Sequence, residues 1–383
     1  MKGVDPSMEI EFYKHNIGQA DIDNVAKVLN SLFLTTGEVV DEFEEKFSRY
    51  LGCKHTVGVT SCTAGLHLSL LAYGIGPGDE VITTPMTFIA TANSIIHAGA
   101  TPVFVDVEAD TGNIDADLIE SAITPRTKAI MPVHLHGLMC DMRRIGEIAD
   151  RHHLAVFEDA AHAIEASRDS VRPAQMGDTA SFSFYATKNL TCGEGGAIST
   201  NSEETATKLK KLRLHGMTKG AAERYSGRYE HWDMELLGWK YNMSNIQAAI
   251  LLNQLDSVET FWQRRENICQ EYEKAFKDNP NIDCLRVLPG SKSARHMFTI
   301  LVPPEKRDVV MWRLQESGIG VAVNFRAIHL LSYYQRTYGF RRGTFPVAER
   351  IGDSTITLPL YPRLSDEEVE RVIRTVEKVT APE

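Results

Sequence analysis

Asp159 ends an apolar stretch, Phe157-Glu-Asp159, and Lys188 follows a second one, Ser181-Phe-Ser-Phe184, ahead of glycines at 193, 195 and 196. A lysine amine can condense with an aldehyde, and a carboxylate beside a pyridine nitrogen keeps that nitrogen protonated so that the ring accepts electrons. An acid leaving one strand and a lysine leaving the next are what pyridoxal phosphate chemistry asks of a protein. Each residue alone has a plainer reading, a helix cap for Asp159 and a solvated surface amine for Lys188. Together they favour the functional one. Ala160 and Ala161 leave room for a flat ring, and the glycines allow backbone to approach a ligand closely. Partial burial near cations would lower the Lys188 pKa and make the amine nucleophilic. His162 can hydrogen-bond a ring hydroxyl.

Thr60-Ser-Cys-Thr-Ala-Gly65 follows a strand and opens a helix, where free N–H groups and hydroxyls suit an anion. Thr63, with the main chain of Cys62 and Thr63, is the expected donor to a cofactor phosphate; alone, the stretch reads as a capped helix start. Ser181 and Ser183 fall on one face of a strand, and Ser183 can reach the same phosphate. Phe88 is a candidate to stack on the ring, and unsupported it would be a core residue. His134-Leu-His136 lacks the third ligand that a zinc site needs, so no metal is expected. Arg326 and His329 lie on a polar turn before Tyr333-Tyr334; they suit a phosphorylated substrate or a solvated loop equally.

These residues need a scaffold, and the periodicity supplies one. Strands are expected at Thr56–Val59, Glu80–Thr83, Thr101–Val105, Ala129–Val133, Ala155–Glu158, Thr179–Phe184 and Gly196–Thr200. Helices fit between many of them, at Ala64–Tyr73, Ala90–Ala98, Ala116–Ala122 and Met142–His152, after two more at Asp21–Phe33 and Asp41–Leu51. The alternation predicts an α/β fold with a mainly parallel sheet covered on both faces, where ligands gather beyond the carboxyl ends of the strands. Gln247–Leu255 and Asp256–Lys277 read as helices, the second bridging to a smaller α/β unit with strands at His296–Val302 and Ser354–Leu358 and a helix at Glu305–Ser317. A capping box at Ser365–Glu368 opens the closing helix. The expected organisation is an arm over 1–20, a large domain over 21–255, and a linker helix with a small domain over 256–383. Met8 can serve as an alternative start, leaving residues 1–7 as a disordered arm.

The 383 residues are enough for two domains, and 43% of them are hydrophobic. A net charge of −10 without a long basic run argues against nucleic acid. The six scattered cysteines form no C-x-x-C pair and read as reduced thiols. No stretch suits a membrane helix or a secretory signal, so a cytoplasmic protein is expected.

Over nearly its whole length the chain resembles the DegT/DnrJ/StrS group of fold-type-I, pyridoxal-phosphate-dependent sugar aminotransferases. The resemblance is carried by Leu34-Thr-Thr-Gly37, Thr60–His67, Gly74–Ile82, Ala100–Asp106, Ile130–Gly137, Glu158–His162, Ser181–Gly196 and Gly238–Ala249. It implies that Lys188 bonds the cofactor aldehyde, Asp159 partners the ring nitrogen, Phe88 and Ala161 flank the ring, and Thr63 and Ser183 hold the phosphate. It further implies a homodimer in which each site takes a residue from its partner, within Gly238–Met243. Lys240 stands there where many members carry Asn, and Tyr185 where many carry His; a lysine still meets a phosphate as a point charge. Thr36, Arg326 and His329 are the expected substrate contacts. Relatives that replace the lysine by histidine dehydrate sugars, so the retained Lys188 points to transamination. The amino group would pass from L-glutamate, leaving 2-oxoglutarate, to the 4-keto carbon of a nucleotide-linked sugar. Lys240-Tyr-Asn and Phe325–His329 look most like the branch that aminates UDP-4-keto pentoses, with hexosamine, dTDP and GDP counterparts as rivals. The alternatives are another pyridoxal phosphate reaction on the scaffold, such as 3-keto-sugar transamination or dehydration, or a non-catalytic regulatory homologue.

Overall fold

Short apolar runs bounded by turn residues fold as strands, and the amphipathic runs between them as helices. The structure, a computed structural model, describes residues 9–219 and 231–381; the arm expected over 1–7 lies outside them. Strands β1 (His55–Val59), β2 (Glu80–Thr83), β3 (Thr101–Phe104), β4 (Thr127–Ile130), β5 (Ala155–Asp159), β6 (Thr179–Ser183) and β7 (Gly196–Thr200) form one sheet. Their spatial order is β1-β7-β6-β5-β4-β2-β3. Only β7 runs against the rest: it pairs antiparallel with β1 and β6, while β2 to β6 pair in parallel.

Helices α1 (Gln19–Leu29), α2 (Glu38–Leu51), α3 (Cys62–Ala72), α4 (Ile89–His97), α5 (Ala116–Ile119), α6 (Met142–His152), α7 (Glu203–Leu212) and α8 (Asn245–Asp256) accompany the sheet. Burial on both faces explains why β6 and β7 are apolar or hydroxylated throughout. Phe43 and Phe47 of α2 meet Phe184 and Phe182 edge-on, at 5.4 and 5.1 Å between ring centres. Leu66 and Leu70 of α3 pack with Val81, Ile95 and Phe157 in a separate cluster.

A second core gathers around α9 (Val258–Phe276), the antiparallel strands β8 (Asp283–Cys284), β9 (Phe298–Leu301) and β10 (Thr355–Leu358), and helices α10 (Arg307–Glu316) and α13 (Asp366–Thr380). Between them α11 (Ser332–Tyr338) and α12 (Pro346–Ser354) reach back to the first core, where Met86, Val107 and Leu135 pack with Ala327 and Ile351. The capping box of α13 forms: the Glu368 N–H donates to Ser365 Oγ at 3.2 Å and the Ser365 N–H donates to the Glu368 carboxylate at 2.8 Å. Ile10 joins the second core as well. Its N–H donates to Gly318 O and its carbonyl accepts from the Gly320 N–H, both at 2.8 Å. A Cβ on Gly320 would lie 2.5 Å from the Phe12 nitrogen, so only glycine permits this approach.

Two expectations differ in detail. Helix α1 ends at Leu29 rather than Phe33, capped by Asn30, and Ile22, Leu29 and Leu32 are exposed rather than packed on the core. On α9, read from the sequence as a helix over Asp256–Lys277, the charged Arg265 falls on the buried face beside Val258, Ile268 and Tyr272 and is 2% exposed. Its Nη2 bonds Glu165 Oε1 at 2.6 Å. Among the described residues no helix is long and apolar enough to cross a membrane.

Removing one partner of a buried pair strands the other charge in low dielectric. Arg265→Ala is therefore expected to cost about 3–5 kcal/mol in urea unfolding. Arg49→Ala, which breaks the exposed i,i+4 pair with Glu45, should cost less than about 1 kcal/mol.

Candidate active site

The carboxyl ends of β1, β2, β5 and β6 and the start of β7 lie along one edge of the sheet. The chain therefore delivers Thr60–Thr63, Thr87–Phe88, Asp159–His162, Ser183–Lys188 and Gly195–Gly196 to one place. Most of them line a cavity of about 510 Å³, which Met297, Asn324 and Phe325 also border. Cys62, Thr63, Phe88, Asp159, Ala161, His162, Ser183 and Lys188 all border it.

Asp159, the last residue of β5, is 6% exposed. Its Oδ2 accepts from Thr91 Oγ1 at 2.8 Å and its Oδ1 from the Ala161 N–H at 3.2 Å. Burial pushes its carboxyl up, and the Thr91 hydroxyl, the Ala161 N–H and the Lys188 ammonium pull it back. Thr87 and Thr91 share a hydrogen bond at 2.7 Å, which completes a hydroxyl chain behind the carboxylate. Burial draws the Lys188 amine down to about 8, against the opposing fields of Cys62 and Asp159. Near neutral pH a usable fraction of that amine is unprotonated, which a nucleophile or base requires.

Helix α3 begins at Cys62, and its first N–H groups have no carbonyl one turn back to pair with. Ser61 Oγ caps the helix by accepting from the Ala64 N–H at 3.1 Å. Beneath this turn runs Gly196, where a Cβ would lie 2.4 Å from the Ser61 carbonyl carbon and 2.5 Å from the Cys62 nitrogen. The glycine thus lets β7 support the anion-binding turn. Ser183 faces the cavity, whereas Ser181 lies deeper, against Gly65, and its hydroxyl has no partner. His162 Nδ1 accepts from the His136 N–H at 3.3 Å. Burial holds its ring well below the usual histidine range and neutral. The proton therefore sits on Nε2, making that atom a donor. A phosphate seat, a buried carboxylate, a ring-oxygen donor, an aldehyde-seeking amine and the flanking Phe88 and Ala161 together fit pyridoxal phosphate.

The remaining expected residues lie elsewhere. Thr36 Oγ1 donates to Met243 O and accepts from Asn242 Nδ2, both at 2.6 Å, outside the cavity. Lys240 is exposed and bonds Asn242. Arg326 is exposed outside the cavity lining. His329 is fully buried with Nε2 3.0 Å from Glu349 Oε1; as a substrate contact it is corrected, because its ring is enclosed by Phe345 and α12. His134 and His136 diverge, His134 Nε2 to Glu158 at 2.8 Å and His136 Nε2 to Asn324 O at 2.7 Å. Sequence reasoning passed over Thr91, whose spacing of one helical turn from Thr87 was a readable signal, and Asn324 and Phe325, which had none.

Thr91→Val keeps the shape and removes the donor to Asp159, so the carboxyl should rise further. Pyridoxal phosphate affinity should fall about tenfold in an absorbance titration; unchanged affinity would show that Thr91 does not tune Asp159.

A model of the DegT/DnrJ/EryC1/StrS aminotransferase family matches residues 15–377. The spore coat polysaccharide biosynthesis protein SpsC of Bacillus subtilis is 44% identical over 369 residues, 95% of each chain. Among solved structures, Spr1654 of Streptococcus pneumoniae, known in PMP and PLP forms, superposes with a TM-score of 0.92 in its PMP form. It is 34% identical and covers 97% of this chain and 99% of its own. PseC of Helicobacter pylori, an aminotransferase involved in pseudoaminic acid biosynthesis, superposes at 0.91 with 30% identity, over 97% and 99%. The chain belongs to the DegT/DnrJ/EryC1/StrS family and is a pyridoxal-phosphate-dependent sugar aminotransferase.

Proposed function

We propose that the enzyme moves the amino group of L-glutamate to the 4-keto carbon of a nucleotide-linked sugar, UDP being the favoured carrier. The observation behind this reading is that Lys188 and Asp159 converge on one buried cavity. Bound there, pyridoxal phosphate supplies an electron-accepting ring conjugated to the reacting carbon. Lys188 would hold it covalently, and its free amine would be the general base that takes a proton from the substrate carbon and delivers it across the intervening nitrogen. Asp159 keeps the ring nitrogen protonated, because each charge favours the ionised form of the other. Thr63, Ser183 and the N–H groups of Cys62 and Thr63 hold the phosphate. His162 Nε2–H donates to the ring oxygen, and Phe88 and Ala161 take the two faces. Lys188, rather than a histidine, supports transfer over dehydration.

The assembly is a homodimer in this reading. Lys240 is exposed on its own subunit and would reach the partner's phosphate site. Leu32 and Leu237, 85% and 77% exposed, are apolar side chains that a partner would cover. The likeness to SpsC, a spore coat polysaccharide biosynthesis protein, supports a product that enters a polysaccharide.

Incubation with glutamate and 4-keto sugars linked to UDP, dTDP or GDP is expected to give most product with a UDP sugar. A dehydrated sugar without amine transfer would overturn the reading. Lys188→Ala should lose turnover, since a positioned base supplies roughly 10²–10⁴-fold. The glutamate half-reaction should accelerate as pH rises through about 8, where the free amine becomes neutral, and then level off. A rate falling with pH over that span would exclude Lys188 as the base.

A further inference from the structure

Two neutral, buried histidines stand beside Lys188 in opposite tautomers. The rings of His162 and His296 are 4.5 Å apart, yet their Nδ1 atoms have opposite partners. His162 Nδ1 accepts, so its Nε2 donates. His296 Nδ1 lies 3.0 Å from Asn189 Oδ1. That amide cannot be turned over, because its nitrogen donates to both Glu165 oxygens, at 3.1 and 2.9 Å, and to Ala294 O at 3.1 Å. Arg265 holds Glu165 in place through a contact of 2.6 Å. His296 Nδ1 therefore carries the proton and Nε2 a lone pair. That lone pair is buried and has no hydrogen-bond partner. The amine whose charge reaches His296 is that of Lys188, the residue preceding Asn189, and no hydrogen bond joins it to Nε2 in this structure.

We propose that His296 is a positioning residue whose Nε2 accepts a hydrogen bond from the Lys188 amine when that side chain, not bonded to the cofactor, rotates toward it, and so aims the amine into the cavity. Arg265, Glu165 and Asn189 form the relay that fixes the tautomer. The proposal rests on Lys188 being the reacting amine. The other groups facing Lys188 are Asp159 and Cys62, which favour its ammonium form, and His136 and His162. His296 itself is kept neutral by burial, by the Lys188 ammonium and, more weakly, by Arg265 and His136. A neutral acceptor stabilises an ammonium, so its loss should lower the Lys188 pKa.

The test uses the full chain stripped of cofactor. Carbamylation of Lys188 by cyanate, followed by peptide mass spectrometry across pH, should show a midpoint near 8. His296→Leu should move it down by about one pH unit, and His296→Gln, whose side-chain oxygen can replace the lone pair, should restore it. An unchanged midpoint in folded His296→Leu overturns the proposal. If that variant does not fold, the ¹⁵N shifts of His296 in the unaltered protein decide: a proton on Nε2 at neutral pH overturns it equally. Borohydride fixation of cofactor on another lysine would instead refute the assignment of Lys188, leaving the hydrogen bond to be judged by cyanate.

Discussion

A carboxylate and an amine have to stay out of water in one cavity without neutralising each other. Burial drives each toward its uncharged form, raising Asp159 and lowering Lys188. The fold answers the two differently. Asp159 receives the Thr91 hydroxyl and the Ala161 N–H, groups that favour the anion. Lys188 receives little such compensation and is left near the pH at which it can both hold and release a proton. One scaffold edge thereby carries a fixed charge and a changeable one.

Holding that edge together falls to groups that never touch the reacting atoms. Gly196 lets β7 slide beneath the phosphate turn, and Phe43, Phe47, Phe182 and Phe184 lock the strands above it against α2. On the other side, Glu165 and Arg265 connect the lysine loop to α9 and hence to the second core. A fixed charge pair inside a core adds little net stability, but it tolerates few alternative arrangements of its neighbours. Asn189 inherits that constraint.

The sheet was legible in the sequence because strands buried on both faces leave continuous apolar runs. Each of the seven expected strands is present within a few residues, and Asp159, Lys188, Thr63 and Ser183 meet where strand ends should meet. What escaped was whatever depends on side chains distant in sequence. Arg265 lies at helical spacing from Val258, Ile268 and Tyr272 and so on the buried stripe, but its charge made an exposed position the natural reading until Glu165 stood opposite. His329 looked polar and available on its turn, and packing against Phe345 hides it. Thr36 and Lys240 are bound to Asn242 in their own chain, and periodicity cannot report what a second subunit would add. Helix α1 shows the converse: Ile22 and Leu29 keep helical spacing yet stay exposed.

The hold on Ile10 bears on how the chain matures. Its carbonyl and N–H are clasped by the turn after α10, so an earlier segment of the chain waits for one synthesised much later. Contacts of such long sequence separation form late, because the intervening loop must close before they are rewarded. During synthesis the large sheet can assemble while the amino-terminal strap hangs free, and the strap seats only when the smaller core is complete. Its docking is thus a built-in marker that translation has delivered both halves of the enzyme.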